Sequence, residues 1–472
     1  MAVYRKTGKI TPVDSLHATD MRFGIGMEKL DRDVFDPSKA YDQVSGLGVK
    51  RVRLQSGWMR TEKEKGKYDF AWLDEVVDNL IKRGIEPWLC MCYGNPLYTE
   101  RAKEVFGAVG CPPVETEEEK EAWANYCFAT ARHFAGRVRE YEVWNEPDGQ
   151  HCWKHGVNGE EYGNFVIATA KAIKSADKNA LILAGSVCHR NTLEWDEAAF
   201  ETGMGDYVDK FTFHDYCEHE RRTEETAKIL RAVINKYNPN IKLVMGETGC
   251  PSDAEGYGAL HRGNWTENRQ ARLLVRRMVE ELKNEVDFIS WFTAVDMIEA
   301  LHGVSGDKNS YMDYGYFGVL RAEFDENGFS SGEYSKKPSY TALSTVVSLF
   351  QHAKKEYVPV LVHWKTYADK LYDFSDEYAD LRIATFAKDN GGKAFVYWKS
   401  TNVLTTEYEG LTELVVDMPY DEVRLVDILT GDVYEIPAEY IEDKGHGVHR
   451  FIKIPVKDYP LALVFNGFEK NE

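Results

Sequence analysis

Long apolar runs are missing from this 472-residue sequence. None approaches the ~20 residues that a membrane-spanning helix needs, which excludes a helical span. The opening stretch, MAVYRKTGKITPVDS, has no apolar core of the kind that directs secretion. The chain is therefore expected in the cytoplasm, or as a secreted protein whose signal has been removed. Positive charge is short as well. Lys and Arg number 58 against 77 Asp and Glu, a net charge of −19. Nucleic acids and anionic membranes both require a basic face, so neither is an expected partner. The acidity reads as solubility alone. Internal repeats and low-complexity tracts are absent. None of the eight cysteines (Cys90, Cys92, Cys111, Cys127, Cys152, Cys188, Cys217, Cys250) has the spacing of a zinc knuckle. Their placement in or just after apolar segments reads as buried free thiols in a reducing compartment. The glycines of GIGMEKLDRD lack phosphate-loop spacing and hold no expected cofactor.

What is present is globular: 43% hydrophobic and 29% charged residues, in a length that suits one large domain plus a smaller one. From about residue 20 to residue 350, apolar runs alternate with amphipathic helical patterns. The runs are RFGIGM (22–27), RVRLQ (51–55), PWLCMC (87–92), REYEVWNE (139–146), LILAGS (181–186), KFTFHDY (210–216), KLVMGE (242–247) and FISWFTAVD (288–296). Most are nearly continuous, as strands buried on both faces of a parallel sheet must be. Between them, FAWLDEVVDNLIKRG has helical spacing and stops at Gly84. TENRQARLLVRRMVEEL starts at Thr266 as an N-cap, and KKPSYTALSTVVSLF has Pro338 in its first turn. Eight strands with eight helices predict a (β/α)₈ barrel over residues 21–354, with long insertions at 93–115 and 296–317. From about 355 to 472 the pattern changes to short alternating segments separated by turns such as NGG and LTGD, which predicts a β-sandwich. Residues 1–20 are polar and are expected to add an edge strand to that sandwich.

In such barrels the chemistry sits at the C-terminal ends of the strands. Those ends carry Arg53, Tyr93, Asn95, Asn145, Glu146, His214, Tyr216, Glu247 and Trp291. Two carboxyls at one mouth suit glycosidic bond cleavage. One is protonated to release the leaving oxygen; the other is ionised to attack the anomeric carbon or to activate water. Neighbours must then push their pKa values apart. Arg53 is placed to hold the nucleophile ionised, Tyr216 to donate to it, and Asn145 to meet a sugar 2-hydroxyl. Trp291 offers a flat apolar face, and Trp153 could flank the leaving-group side. His214 has two readings, a sugar contact or a core histidine that orients Tyr216. The run HDYCEHERRTEE, with His214 and His219, reads as a solvated loop and not as a metal site.

WNEP after the fourth strand, HDY in the sixth and MGETG ending the seventh resemble clan A of the glycoside hydrolases, and within it family 39. WNEPDGQHCW and the trailing β-sandwich carry the likeness to family 39, whose members include β-xylosidases, α-iduronidases and bacterial endoglycosidases. The resemblance implies a retaining barrel enzyme with no cofactor, Glu146 as acid/base and Glu247 as nucleophile. It implies a glycoside, oligosaccharide or polysaccharide with a β-type, equatorial bond as substrate. Three alternatives stand beside it: a carbohydrate-binding protein on a catalytically dead barrel, a sister clan A family with endo action, and a metal-dependent barrel hydrolase. The last would need several histidines at strand ends. The sugar, the linkage and the oligomeric state are not legible in the sequence.

Overall fold

The computed structural model describes residues 4–188, 193–302, 311–363 and 381–470. After an N-terminal strand β1 (Arg5–Lys9), the apolar runs form eight parallel strands. These are β2 (Phe23–Gly26), β3 (Arg51–Gln55), β4 (Glu86–Met91), β5 (Glu140–Val143), β6 (Leu181–Val187), β7 (Lys210–His214), β8 (Lys242–Thr248) and β9 (Ile289–Trp291). β9 pairs back onto β2, and the sheet closes as a barrel in sequential order. Every expected barrel strand is present.

Helices follow each strand: α1 (Tyr41–Ser45), α2 (Trp58–Thr61), α3 (Ala71–Lys82), α4 (Glu117–Phe134), α5 (Gly159–Ala176), α6 (Leu193–Glu201), α7 (Glu220–Tyr237), α8 (Glu267–Asn284) and α9 (Pro338–Leu349). The Thr266 side chain accepts from the Arg269 N–H and caps α8, and Pro338 opens α9, where its missing N–H removes no helical bond. α3 ends at Lys82, two residues before Gly84, which takes a left-handed φ of 75°. The insertion after β9 is not an irregular loop. It contributes the antiparallel pairs β10 (Met297–His302) with β11 (Tyr311–Gly315) and β12 (Leu320–Phe324) with β13 (Ser330–Lys336).

The barrel interior is layered, because side chains two apart on a strand point to the same face. Three successive inward positions on β7 meet three acids of the β5 region. Lys210 Nζ lies 2.7 Å from Glu140, and Thr212 donates to Glu142 across 2.7 Å. Above them, His214 Nδ1 lies 2.9 Å from Glu146. On β3, Arg51 bonds Glu140 at the bottom and Arg53 bonds Glu142 one layer up. Arg53 and Glu142 are completely buried, so each is tolerable only because the other is there.

Beyond α9 the chain builds two antiparallel sheets. One has seven strands: β1, β20 (Asp432–Glu435), β19 (Val423–Asp427), β23 (Leu461–Phe465), β17 (Lys393–Lys399), β16 (Leu381–Ala387) and β14 (Lys354–Lys355), in that order. The other has four: β15 (Val360–His363), β18 (Glu409–Asp417), β22 (Val448–Lys457) and β21 (Ile441–Asp443). The sheets meet where Tyr397 of β17 donates to the Pro455 carbonyl of β22, 3.0 Å away. The N-terminal strand lies in the larger sheet, antiparallel to β20.

Barrel and sheets join through a buried polar knot as well as apolar surface. Glu220, at the start of α7, bonds Arg276 of α8 and also takes hydrogen bonds from Trp398 (3.0 Å) and Ser400 (2.5 Å) of the sheet unit. Arg382 of β16 reaches Glu224 (2.8 Å) and Glu280 (2.6 Å). Among the described residues no helix is long and apolar enough to cross a membrane, and all eight cysteines carry free thiols.

Candidate active site

The stretch after β5 leaves its strand abruptly. Trp144 (φ 69°) and Glu146 (φ 49°) both adopt the left-handed conformation that side chains other than glycine rarely take. Packing holds them there. Trp144 is fully buried among Tyr93, Trp123, Trp153 and Phe165. Its indole N–H donates to the Cys152 carbonyl over 2.7 Å and folds the loop 147–153 back over the barrel mouth. Asp148 accepts from the Cys188 N–H at 3.0 Å and ties the same loop to the end of β6. The outcome is a Glu146 side chain 13% exposed at the mouth.

Glu247 arrives from β8 on the facing wall, 12% exposed. Gly246 lets it in: a Cβ there would stand 3.2 Å from the Thr212 Cβ and 3.5 Å from Glu142 Oε1. One carboxylate oxygen of Glu146, one of Glu247 and a ring nitrogen of His214 all lie within 4.8 Å of one another. Arg53 Nη1 donates to Glu247 Oε2 at 2.7 Å, and the Tyr216 hydroxyl donates to Oε1 in a short hydrogen bond. Arg53 Nη2 also donates to Asn145 Oδ1 at 2.9 Å, which fixes the amide beside the acid pair. His214 Nδ1 is 2.9 Å from Glu146 Oε1 and 3.9 Å from Glu247 Oε2.

The electrostatics separate these groups. Burial alone would raise the Glu146 carboxyl, but hydrogen bonds from His151 and then His214 outweigh it and hold Glu146 well below the usual carboxylate range. His214 loses protonation to burial and regains more from Glu247 and Glu146, so its net shift is upward. Burial, then the Glu247 charge, pushes Tyr216 up and keeps it a neutral donor. Glu142 is lowered despite burial, chiefly by Arg53.

The remaining sequence-derived candidates divide by burial. Tyr93 lies under the mouth, its hydroxyl accepting from Gln55 at 3.3 Å. Asn95 is a structural residue: it donates to the Glu62 carbonyl (2.9 Å) and accepts from the Leu97 N–H (2.9 Å), with no exposed surface. Trp153 is completely buried, donates to Glu161 over 2.9 Å, and anchors the 147–153 loop instead of flanking a ligand. Trp291 is also completely buried, so it presents no flat face at the mouth and does not form the expected platform.

Three polar residues of the mouth escaped the sequence argument. Glu142 lies one layer below Glu146, and its i, i+2 spacing from Glu140 was available as a signal. Glu28 follows β2, fully buried, its carboxylate folded over Gly26, with Thr293 donating to it at 3.2 Å. Burial first, then the Glu247 charge, pushes it up to about 7. His151 stands 2.6 Å from Glu146 Oε2. It lies in a loop, and nothing in the spacing betrays it.

Glu146, His151 and Cys152, like Glu146, His214 and Glu247, bring potential metal ligands close together. Both sets are already hydrogen-bonded internally, and the Arg53 guanidinium beside Glu247 opposes a second cation there.

Two carboxyls face one another at the C-terminal mouth of a (β/α)₈ barrel, braced by a buried arginine, the arrangement that glycosidic bond cleavage uses. Residues 38–353 match Glycosyl hydrolases family 39, and the chain belongs to glycoside hydrolase family 39. A β-xylosidase of Geobacillus stearothermophilus is 24% identical over 281 residues, 54% of this chain and 53% of that protein. The chain thus spans about half the length of this curated relative. The fold is shared with a family 39 glycoside hydrolase from the gut symbiont Bacteroides cellulosilyticus WH2. Its TM-score is 0.66 at 18% identity, covering 97% of this chain and 82% of that one. A family 39 β-xylosidase from Caulobacter crescentus aligns over 98% of both chains with a TM-score of 0.59 and 16% identity.

Proposed function

We propose that this enzyme is a retaining glycosidase for β-type, equatorial glycosides, with Glu247 as nucleophile and Glu146 as acid/base. The observation that carries the reading is spacing. Oxygens of the two carboxyls lie within 4.8 Å of each other. Retaining pairs stand roughly 5–5.5 Å apart, whereas inverting pairs need about 6.5–9.5 Å to admit a water. Roles follow from surroundings. Glu247 is held by Arg53 and Tyr216, both donors to an ionised oxygen, as an attacking carboxylate requires. Glu146 is held by two imidazoles, one on each oxygen, proton-bearing groups beside a carboxyl that must give and then take a proton.

Glu247 attacks the anomeric carbon while Glu146 protonates the departing oxygen. Glu146 then takes a proton from water, which releases the sugar from Glu247 with its original configuration. Asn145, locked by Arg53, would meet the sugar 2-hydroxyl, and the buried His214 reaches both carboxyls, 2.9 Å from Glu146 and 3.9 Å from Glu247. The β-xylosidase relatives make an aryl β-xyloside the first substrate to assay. The test is stereochemical: proton NMR of the first-formed sugar should show the β anomer before mutarotation. An α anomer as first product would end the retaining assignment.

A further inference from the structure

We infer that His151 is a positioning residue that stores the acid proton for Glu146, so that the pair, not Glu146 alone, is the acid/base unit. The inference rests on the role proposed above for Glu146 and deepens it.

The geometry begins with Glu146 itself. Each of its oxygens is taken by an imidazole: Oε1 by His214 Nδ1 at 2.9 Å and Oε2 by His151 Nε2 at 2.6 Å. The two imidazoles differ in access. His214 has no exposed side-chain surface, whereas the His151 side chain is 56% exposed. His214 can therefore serve only as a fixed N–H donor, while His151 can load a proton from solvent and rotate aside when an aglycone arrives. The loop supports that position. Lys154 Nζ holds the His151 carbonyl at 2.5 Å and the Val109 carbonyl at 3.0 Å, so the backbone is pinned while the ring stays at the surface.

The groups facing His151 favour a cation there. On its own loop are Glu146, Asp148, Cys152 and Lys154. Across the mouth Cys188 after β6 meets Asp148, Tyr93 after β4 meets Cys152, and His214 and Glu247 stand behind Glu146, the last bonded by Arg53. Contact with Cys152 and then Glu146 pushes His151 up to about 11, in step with the depression of Glu146. In the free enzyme one proton is shared across the 2.6 Å contact between the ring and the carboxyl. During glycosylation it moves from His151 Nε2 to Glu146 Oε2 and on to the departing oxygen. During deglycosylation the proton removed from water returns to Glu146 and then to His151, so the pair ends each turnover as it began.

This assignment reverses a sign. If Glu146 held the proton alone, His151 would be a neighbouring cation that weakens its grip, and removing it would extend activity to higher pH. If the pair holds the proton, removing His151 leaves only the carboxyl, still bonded by His214, and activity is lost at lower pH.

The experiment is the pH profile of kcat/KM for wild type, His151→Gln, His151→Ala and Glu146→Ala. The probes are the phenyl and dinitrophenyl β-glycosides of the sugar that the wild type turns over. The expected result is a basic limb lower by about one pH unit or more in both His151 variants. On the phenyl glycoside this accompanies a loss approaching the ~10²-fold lower bound for general acid catalysis, with little loss on the dinitrophenyl glycoside. Free imidazole should restore part of the His151→Ala activity. A basic limb that stays or rises in both variants overturns the inference. Glu146→Ala separates the two levels. Near-normal turnover of the phenyl glycoside by that variant would overturn the acid/base role itself. A selective loss there, with unshifted His151 variants, would overturn only the role of His151.

Discussion

Arg53 Nη1 stands 2.7 Å from Glu247 Oε2, a contact that joins β3 to β8 through the barrel interior. The same guanidinium bonds Glu142 through Nε at 2.7 Å and approaches Glu28 at 3.7 Å. One buried cation therefore serves three carboxyls.

Replacing Arg53 by Met should then be costly twice over. It leaves Glu142 and Glu28 buried without a cation, which destabilises the fold by about 3–5 kcal/mol. It also frees Glu247 and Asn145 from their common support, so kcat/KM should fall in any protein that still folds. Urea unfolding and steady-state kinetics check both; a variant as stable as the wild type would show that the interior acids take other partners.

Tyr216→Phe is the milder counterpart. It removes a single donor to Glu247 and leaves the packing near Phe317 in place. A hydrogen bond to a charged group contributes about 1.5–3 kcal/mol, so kcat/KM should drop roughly ten- to a hundredfold. The thermal midpoint should barely move. Loss of stability without loss of rate would make Tyr216 a structural residue.

The two glutamates can be told apart by azide. Glu146→Ala keeps the nucleophile, so a dinitrophenyl glycoside should still load the enzyme and the intermediate should accumulate. Azide needs no general base; it should accelerate turnover and give a glycosyl azide of the substrate's own configuration. Glu247→Ala leaves a small cavity in which azide attacks directly, giving the opposite configuration. Products of the reverse configurations would exchange the two roles.

The junction between barrel and sheets should be acid-labile. Contact with Arg276, reinforced by Ser400, lowers Glu220 from 4.5 to about 2 against the opposing effect of burial. Because the folded value lies below the unfolded one, the stabilisation is complete above pH 4.5 and is lost as pH falls towards 2. The shift corresponds to about 3 kcal/mol. Unfolding followed at several pH values should show this loss in the wild type. Glu220→Gln should be less stable near neutrality and should lose less across that window.

The sequence by itself determined the barrel and the position of its acid pair. A parallel strand buried on both faces must be written in nearly unbroken apolar residues, and helices must alternate with such strands. Both patterns survive in one dimension, so all eight strands were legible, as were Glu146 and Glu247 at strand ends. Arg53 and Tyr216 could be placed beside Glu247 because strand register alone sets which inward residues share a layer. Burial and loop contacts are different. Trp153, Trp291 and Asn95 lie where a ligand could be met, yet the chain folded over them makes them scaffold, and no local pattern records what covers a side chain. The carboxyl of Glu28 against Glu247 and the ring of His151 against Glu146 depend on segments that leave the strands and return by side-chain anchors such as Trp144 and Asp148. Only the tertiary structure decided those contacts, because a loop's path is set by where its few buried groups find partners and not by any period in its sequence.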